Sequence, residues 1–242
     1  GVSKMRLICS FHVSQLPIAY RMALVSLIKE SLRLSNEEYY QRLYESGQQS
    51  KPFVFAPFLK NFKLDGDAYH LEECQLTISS PDHEFLLHVY NGMQRKKHFD
   101  YKQFSFQRKQ IRLLPERTIR EPKVVFRTLS PILVENKEGR PLSPDSPDYE
   151  TELQYLADTI LRSYRGTGLQ DSLQFKPLQR TKTVIKEQNH EFVERFGEGK
   201  YLYFTAYKGR FQLQGHPDDL QALYQLGLSK RRNQGFGLLE VD

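Results

Sequence analysis

Tryptophan is absent from the 242 residues, and cysteine occurs only at Cys9 and Cys74. Two cysteines make no framework of bridges, so a reduced, cytoplasmic protein is the expectation. No histidine stands at ligand spacing from them, which removes a zinc site of the usual pattern. No run of about 18 apolar residues exists, so no spanning helix, and with it no place inside a membrane, is expected. The first residues lack the apolar core of a signal peptide, and residues 1–4 are compatible with a cloning remnant ahead of Met5. Also missing are a Gly-x-x-x-x-Gly-Lys phosphate loop, a His-Glu-x-x-His helix and a Gly-x-Ser-x-Gly elbow. The carboxylates of Asp65-Gly66-Asp67 and Asp218-Asp219 suit a turn and a helix start, so neither a two-metal site nor any other metal or cofactor is expected.

What is present is basic and aromatic. Lys plus Arg number 35 against 29 Asp plus Glu, a net charge of +6, and the isoelectric point is near 9.1. That balance favours an anionic partner, nucleic acid or a membrane surface. Apolar residues make up 39 %, enough for a core, and 14 Tyr and 16 Phe supply flat rings. Most rings belong inside; some can stack on unpaired bases. The length suits two domains of about 100–150 residues each.

Along the chain, Met5–Val13 has the length and content of a strand, and His12 inside it reads as structural. Ser14–Pro17 looks like a helix entry, and apolar residues at steps of three and four carry the helix to about Leu34. Ser35-Asn36-Glu37-Glu38 is a capping signature for a short helix ending near Tyr44. Gly47–Ser50 reads as a polar turn. Lys51–Phe58 reads as a strand, at an edge because of Pro52 and Pro57. A hairpin is expected over Leu64–Ile78 with its turn at Asp65-Gly66-Asp67. A helix follows from Pro81, then paired strands over Phe99–Phe106 and Gln110–Leu114. The pattern breaks at Arg117–Pro122. Beyond it come a strand from Lys123, a loop over 136–148 and a helix over Tyr149–Tyr164. Strands are expected at 173–178, 182–188, 200–207 and 210–214, then a helix from His216 to Leu226. Each half therefore reads β-α-β-β-α-β. The expected fold is α+β, two tandem ferredoxin-like domains at 1–120 and 121–242.

The last stretch holds the strongest chemical signal. Gly227-Leu228-Ser229 is followed by Lys230, Arg231, Arg232, Asn233 and Gln234, then Gly235-Phe236-Gly237. Glycines admit positive φ and close approach of another chain, and the cations suit a polyanion. This reads as a loop that contacts RNA phosphates through peptide N–H groups and through Lys230, Arg231 and Arg232, with Asn233 among them. Lys123, Arg127, Lys182 and Lys186 add positive charge to the second half, the last two on one side of a strand. The two domains are expected to face each other across a basic cleft lined by the loop.

Gly-apolar-Gly, five residues, Gly-apolar-Gly is the terminal motif of a known family, matched here with Ser229 in place of one glycine. With Thr128-Leu129-Ser130-Pro131-Ile132 and Lys51-Pro52-Phe53-Val54-Phe55, it makes the chain resemble the CRISPR precursor-crRNA-processing endoribonucleases of the repeat-associated mysterious protein superfamily. The resemblance implies a metal-independent cut in repeat RNA by attack of a ribose 2′-hydroxyl on the adjacent phosphate. It implies partners too: repeat RNA or precursor crRNA and other CRISPR-associated proteins, with the protein a monomer or homodimer. Many relatives use a His after the first helical region, a Tyr on the long helix and a Lys before the next strand. The matching positions here hold Tyr44, Lys29 and Lys51, which the resemblance makes the catalytic candidates. A tyrosine is a poor base near neutral pH but donates a hydrogen bond or proton, while lysines stabilise a phosphorane. A member that holds repeat RNA without cutting it is the alternative.

Overall fold

Leu7, Cys9 and Phe11 alternate along β1 (Met5–His12) and are fully buried. One face of the strand is thus committed to a core, as a period of two requires. The computed structural model describes residues 4–47 and 50–242. Antiparallel to β1 on either side run Glu73–Ser79 (β6) and Phe104–Pro115 (β8), with Val54–Lys60 (β3) and His98–Tyr101 (β7) at the edges. Helices α1 (Arg21–Ser35) and α3 (His83–Arg95) pack together on this sheet. Gly92 permits their approach, since a Cβ there would lie 1.8 Å from the Ser31 carbonyl oxygen. Between α1 and β3 stands α2 (Glu37–Tyr44), whose first turn is capped by Asn36, accepting from the Tyr39 N–H at 2.9 Å.

The second half repeats the plan. Its strands are β9 (Lys123–Thr128), β10 (Gln174–Glu187), β11 (Leu202–Gln214) and β12 (Leu239–Val241), in the order β10-β11-β9-β12. Helices α4 (Tyr149–Arg165) and α6 (Pro217–Leu226) pack on it through Leu153, Ala157, Leu161, Leu220 and Leu223. In the second sheet the first strand, β9, lies between the third and the fourth, the ferredoxin-like order; in the first sheet β1 lies in the same way between β6 and β8, with β7 added at the edge, so the fold is the tandem arrangement expected. Among the described residues no helix is long and apolar enough to cross a membrane.

Several local expectations need correction. Gln15–Pro17 is not a helix entry but strand β2, which pairs with Ala68–His70 (β5) beside Lys63–Asp65 (β4). The hairpin turning at Gly66 is therefore short, and β6 belongs to the main sheet instead of being its return arm. Strand β8 is continuous over 104–115; the turn sits at Lys102, with φ +53. Likewise the two strands expected between 173 and 188 are the single strand β10. Pro177, which cannot donate to a ladder, is accommodated by a register shift between Pro177 and Gln179. Gly209 lies opposite that irregularity within one unbroken β11. A Cβ on it would meet the Gln179 carbonyl oxygen at 1.9 Å, so this glycine serves a close approach and not a turn. A short helix, α5 (His190–Phe196), capped by Asn189, joins β10 to β11 and was not expected. The expected turn at Gly47–Ser50 includes Gln48 and Gln49, and the stretch compatible with a cloning remnant includes residues 1–3; these lie outside the described residues.

The halves meet along a bonded seam. Arg6 from β1 donates to the Tyr224 carbonyl at 2.9 Å and stacks 4.0 Å over its ring. Ser79 donates to the Gln225 carbonyl at 2.8 Å. Val54 and Ala56 of β3 bury themselves with Leu238.

Candidate functional site

Three glycines of the terminal loop hold positive φ: +85 at Gly227, +93 at Gly235 and +85 at Gly237. A Cβ would fall 2.8 Å from Val54, 3.0 Å from the Phe55 ring and 2.4 Å from Ser229 Cβ, respectively. The loop thus lies pressed on β3, with Gly227, Ser229, Gly235 and Gly237 buried. Several of its peptide groups, at the glycine-rich ends, are bonded inside the protein. Leu228 N–H donates to Gly237 O, Lys230 N–H to Leu133 O and Gly237 N–H to Pro131 O, at 2.8–3.0 Å. This corrects the expectation of an open loop presenting N–H groups along a cleft. Ser229 keeps φ out of the positive region and uses its hydroxyl, which accepts from Leu133 N–H at 2.8 Å.

The loop cations divide. Lys230 and Arg231 are exposed; Lys230 pairs with Glu135 at 3.2 Å, and Arg231 lies 4.1 Å over the Phe204 ring. Arg232 is buried and donates to Leu226 O at 2.7 Å and Ser50 Oγ at 2.9 Å. Asn233 turns toward the segment before β3. Its Oδ1 accepts from Lys51 N–H at 3.2 Å, and its Nδ2 donates to Lys51 O at 3.0 Å and Phe53 O at 2.6 Å. Arg232 and Asn233 therefore hold the fold together from within and do not present their side chains as a basic tip.

That clamp leads to the second cluster. Lys29 on α1, Tyr44 at the end of α2 and Lys51 before β3 converge. Lys29 Nζ lies 4.9 Å from the centre of the Tyr44 ring and Lys51 Nζ 4.8 Å from it. The ring's negative face attracts both ammonium groups and brings together two charges that otherwise repel. Burial lowers the pKa of each lysine, assisted by Arg33 for Lys29 and by Lys29 for Lys51. Burial, with nearby Tyr40 adding to it, raises the Tyr44 pKa, and its hydroxyl is enclosed with no hydrogen-bond partner among the described residues. Tyr40 stacks on Tyr44 at 5.2 Å and receives a 2.5 Å hydrogen bond from Arg33. Arg33 and Tyr40 escaped the sequence reading. The signal was there in the spacing: 29 and 33 on α1, and 40 and 44 on α2, are each four apart and share a helical face.

The remaining cations are scattered over the second sheet. Lys182 and Lys186 are exposed on one side of β10, with Lys186 about 6 Å from the rings of Tyr201 and Tyr203. Arg127 and Lys123 are exposed on β9. Lys123 pairs with Gln214, which faces Gln174, at the end of β10 away from Lys182. The structure does not bring Lys123 into the Lys182/Lys186 group. Between the halves a cavity of about 450 Å³ is lined by Arg21, Lys186 and Lys208 with Phe58, Phe62 and Val184. At its inner side Arg21 and Glu187 are buried 3.7 Å apart, and desolvation raises the Glu187 pKa to about 7 against the pull of Arg21.

Comparison with known proteins adds to this geometry. The model of the family described as CRISPR associated protein Cas6, C-terminal, matches residues 114–241. No curated protein matches the chain. Among solved structures, the product of a Cas6-related gene from Pyrococcus furiosus superposes with a TM-score of 0.81 at 17 % identity, covering 99 % of this chain and 98 % of that one. A structure described as an RAMP protein binding different RNA substrates gives 0.78 at 17 %, covering 98 % and 99 %. A CRISPR associated protein Cas6 gives 0.74 at 17 %, covering 99 % of each chain. At such identities the superpositions speak for the fold, and the family match, which spans more than half the chain, speaks for descent. The chain belongs to the Cas6 family of CRISPR-associated proteins.

Proposed function

We propose that this protein binds CRISPR repeat RNA in the cytoplasm and cuts precursor crRNA within the repeat, without a metal ion. One observation carries the reading: two lysines with lowered pKa flank one aromatic ring, at the positions the family resemblance singles out. In the proposed step the ribose 2′-oxygen attacks the adjacent phosphorus and the P–O5′ bond breaks. A 2′,3′-cyclic phosphate and a 5′-hydroxyl result. The unprotonated member of the lysine pair accepts the 2′-proton; the protonated member stabilises the phosphorane and protonates O5′. Tyr44 acts through its ring, which holds the pair, since its enclosed hydroxyl is badly placed to donate. Lys230, Arg231, Lys182, Lys186, Arg127 and Lys123 are proposed as phosphate contacts, with the chain divided into its two domains near residue 120. The structural relative described as binding different RNA substrates fits this reading.

The test is incubation with cognate repeat RNA in excess EDTA. One defined cut ending in a cyclic phosphate is expected, with the rate reduced about 10²–10³-fold in Lys29→Ala and Lys51→Ala, the usual effect of removing a group that stabilises transition-state charge. Uncut but tightly bound RNA would replace this reading by that of a repeat-binding member. The tyrosine at position 44, where many relatives have histidine, favours that second reading.

A further inference from the structure

A cavity of about 280 Å³ opens beside Lys51, between α2, the start of α3, the end of α4 and the glycine loop. Arg232 lines it and is unusual among the arginines. It is buried, its hydrogen bonds to Leu226 O and Ser50 Oγ both go to neutral oxygens, and no carboxylate pairs with it among the described residues. Desolvation lowers its pKa to about 10, and no neighbouring charge opposes that effect. A buried cation without an anion is costly, and proteins rarely keep one without a use. Arg42, Ser163 and Tyr164 stand on the same walls. Two carboxylates are present, neither paired with Arg232: one caps a helix, and the other sits beside Arg42, from which a phosphate would have to displace it. Asp82 caps α3, accepting from the Glu84 and Phe85 N–H groups and from the Tyr39 hydroxyl. Glu84 lies 3.6 Å from both Arg42 and His88.

We propose that this cavity is a phosphate subsite: it takes one RNA backbone phosphate next to the scissile one, between Arg232 and Arg42, with the Ser163 hydroxyl as a further donor. The proposal rests on the reading of the protein as an RNA-binding member of its family. The occupant is a tetrahedral oxyanion, whose charge supplies the missing partner of Arg232 and whose oxygens match a guanidinium fork. The exposed ring of Tyr164 at the rim offers a surface for the attached base. The subsite also links the two clusters, because Arg232 and the Lys51 clamp Asn233 are consecutive residues.

Two measurements test it. Inorganic phosphate is titrated into the full chain against chloride at equal ionic strength. A rise of several degrees in the thermal midpoint is expected for the wild type and its loss in Arg42→Gln and Arg232→Gln. If Arg232→Gln fails to fold, Arg42→Gln alone decides. An equal rise in Arg42→Gln, or no rise in the wild type, overturns the subsite. In the second arm, repeat RNAs carry a neutral methylphosphonate at one position each. One position within two nucleotides of the cut should cost the wild type about tenfold in affinity, as a lost charge-assisted contact does, and cost Arg42→Gln nothing more. Equal penalties in both proteins overturn the subsite while leaving cleavage intact. RNA that the wild type never cuts sinks the proposed function, and the phosphate titration still judges the cavity.

Discussion

Tyr44 occupies the position where a proton carrier would be sought, yet its ring and its hydroxyl have different surroundings. The ring has two ammonium groups, 4.9 and 4.8 Å from its centre; the hydroxyl is enclosed, with no hydrogen-bond partner among the described residues. Tyr44→Phe keeps the ring and should change the cleavage rate by no more than about twofold, whereas Tyr44→Leu, which removes two cation–π contacts, should cost at least about tenfold. Single-turnover rates with the two variants separate a platform from a proton donor. The pH profile follows from the same cluster. Burial lowers both lysine pKa values, with Arg33 adding to the effect on Lys29 and Lys29 to that on Lys51. The rate should rise with pH as the first proton leaves the pair and fall as the second leaves, giving a bell whose two limbs belong to the pair. A flat profile through the alkaline range would remove lysine from the proton transfers.

Within the glycine loop, Asn233 makes three hydrogen bonds that fix the 51–53 backbone. Asn233→Ala leaves the Phe53 carbonyl without that donor, so a stability loss of about 1–3 kcal/mol is expected. It should also slow cleavage more than it weakens RNA binding, which rates and affinities on one repeat RNA would separate. Sequence could show that the loop matters, because Gly-Phe-Gly and three cations stand out. It could not show the direction of the loop's effect, because a buried arginine and an exposed one are written alike. Asn36 was easier: a cap residue acts within four positions of itself, and the helix after it starts where expected. Strands β10 and β11 were split in the sequence reading for the opposite reason. Pro177 and Gly209 look like breaks until the partner strand shows that the two irregularities face each other. The Lys29, Tyr44 and Lys51 positions came from family resemblance; composition and spacing alone offered only an aromatic and basic helix pair.

Across the whole molecule, the seam between the halves carries a titratable contact. Glu187 is buried beside Arg21, and its pKa is raised from 4.5 to about 7. A carboxyl shifted upward binds its proton more tightly in the folded state. Its stabilising contribution is therefore complete below pH 4.5 and is lost as pH rises through 7. Wild-type stability should fall across this window with a slope from this group of at most about 1.4 kcal/mol per pH unit. In Glu187→Gln that slope should vanish, as denaturant midpoints measured at several pH values would show; an unchanged slope would place the titration elsewhere.

The Asn233 clamp has a consequence for the order in which the protein is made. Ribosomal synthesis emits Lys29, Tyr44 and Lys51 early, and the first half can begin to fold while later codons are still being read. The residue that fixes the Lys51 backbone is 182 positions further on. A nascent chain that has not reached the loop carries both lysines without the hydrogen bonds that set one of them, so the proposed cutting competence waits until residue 233 has emerged. Residues that emerge late thus act as a timer on residues that emerge early.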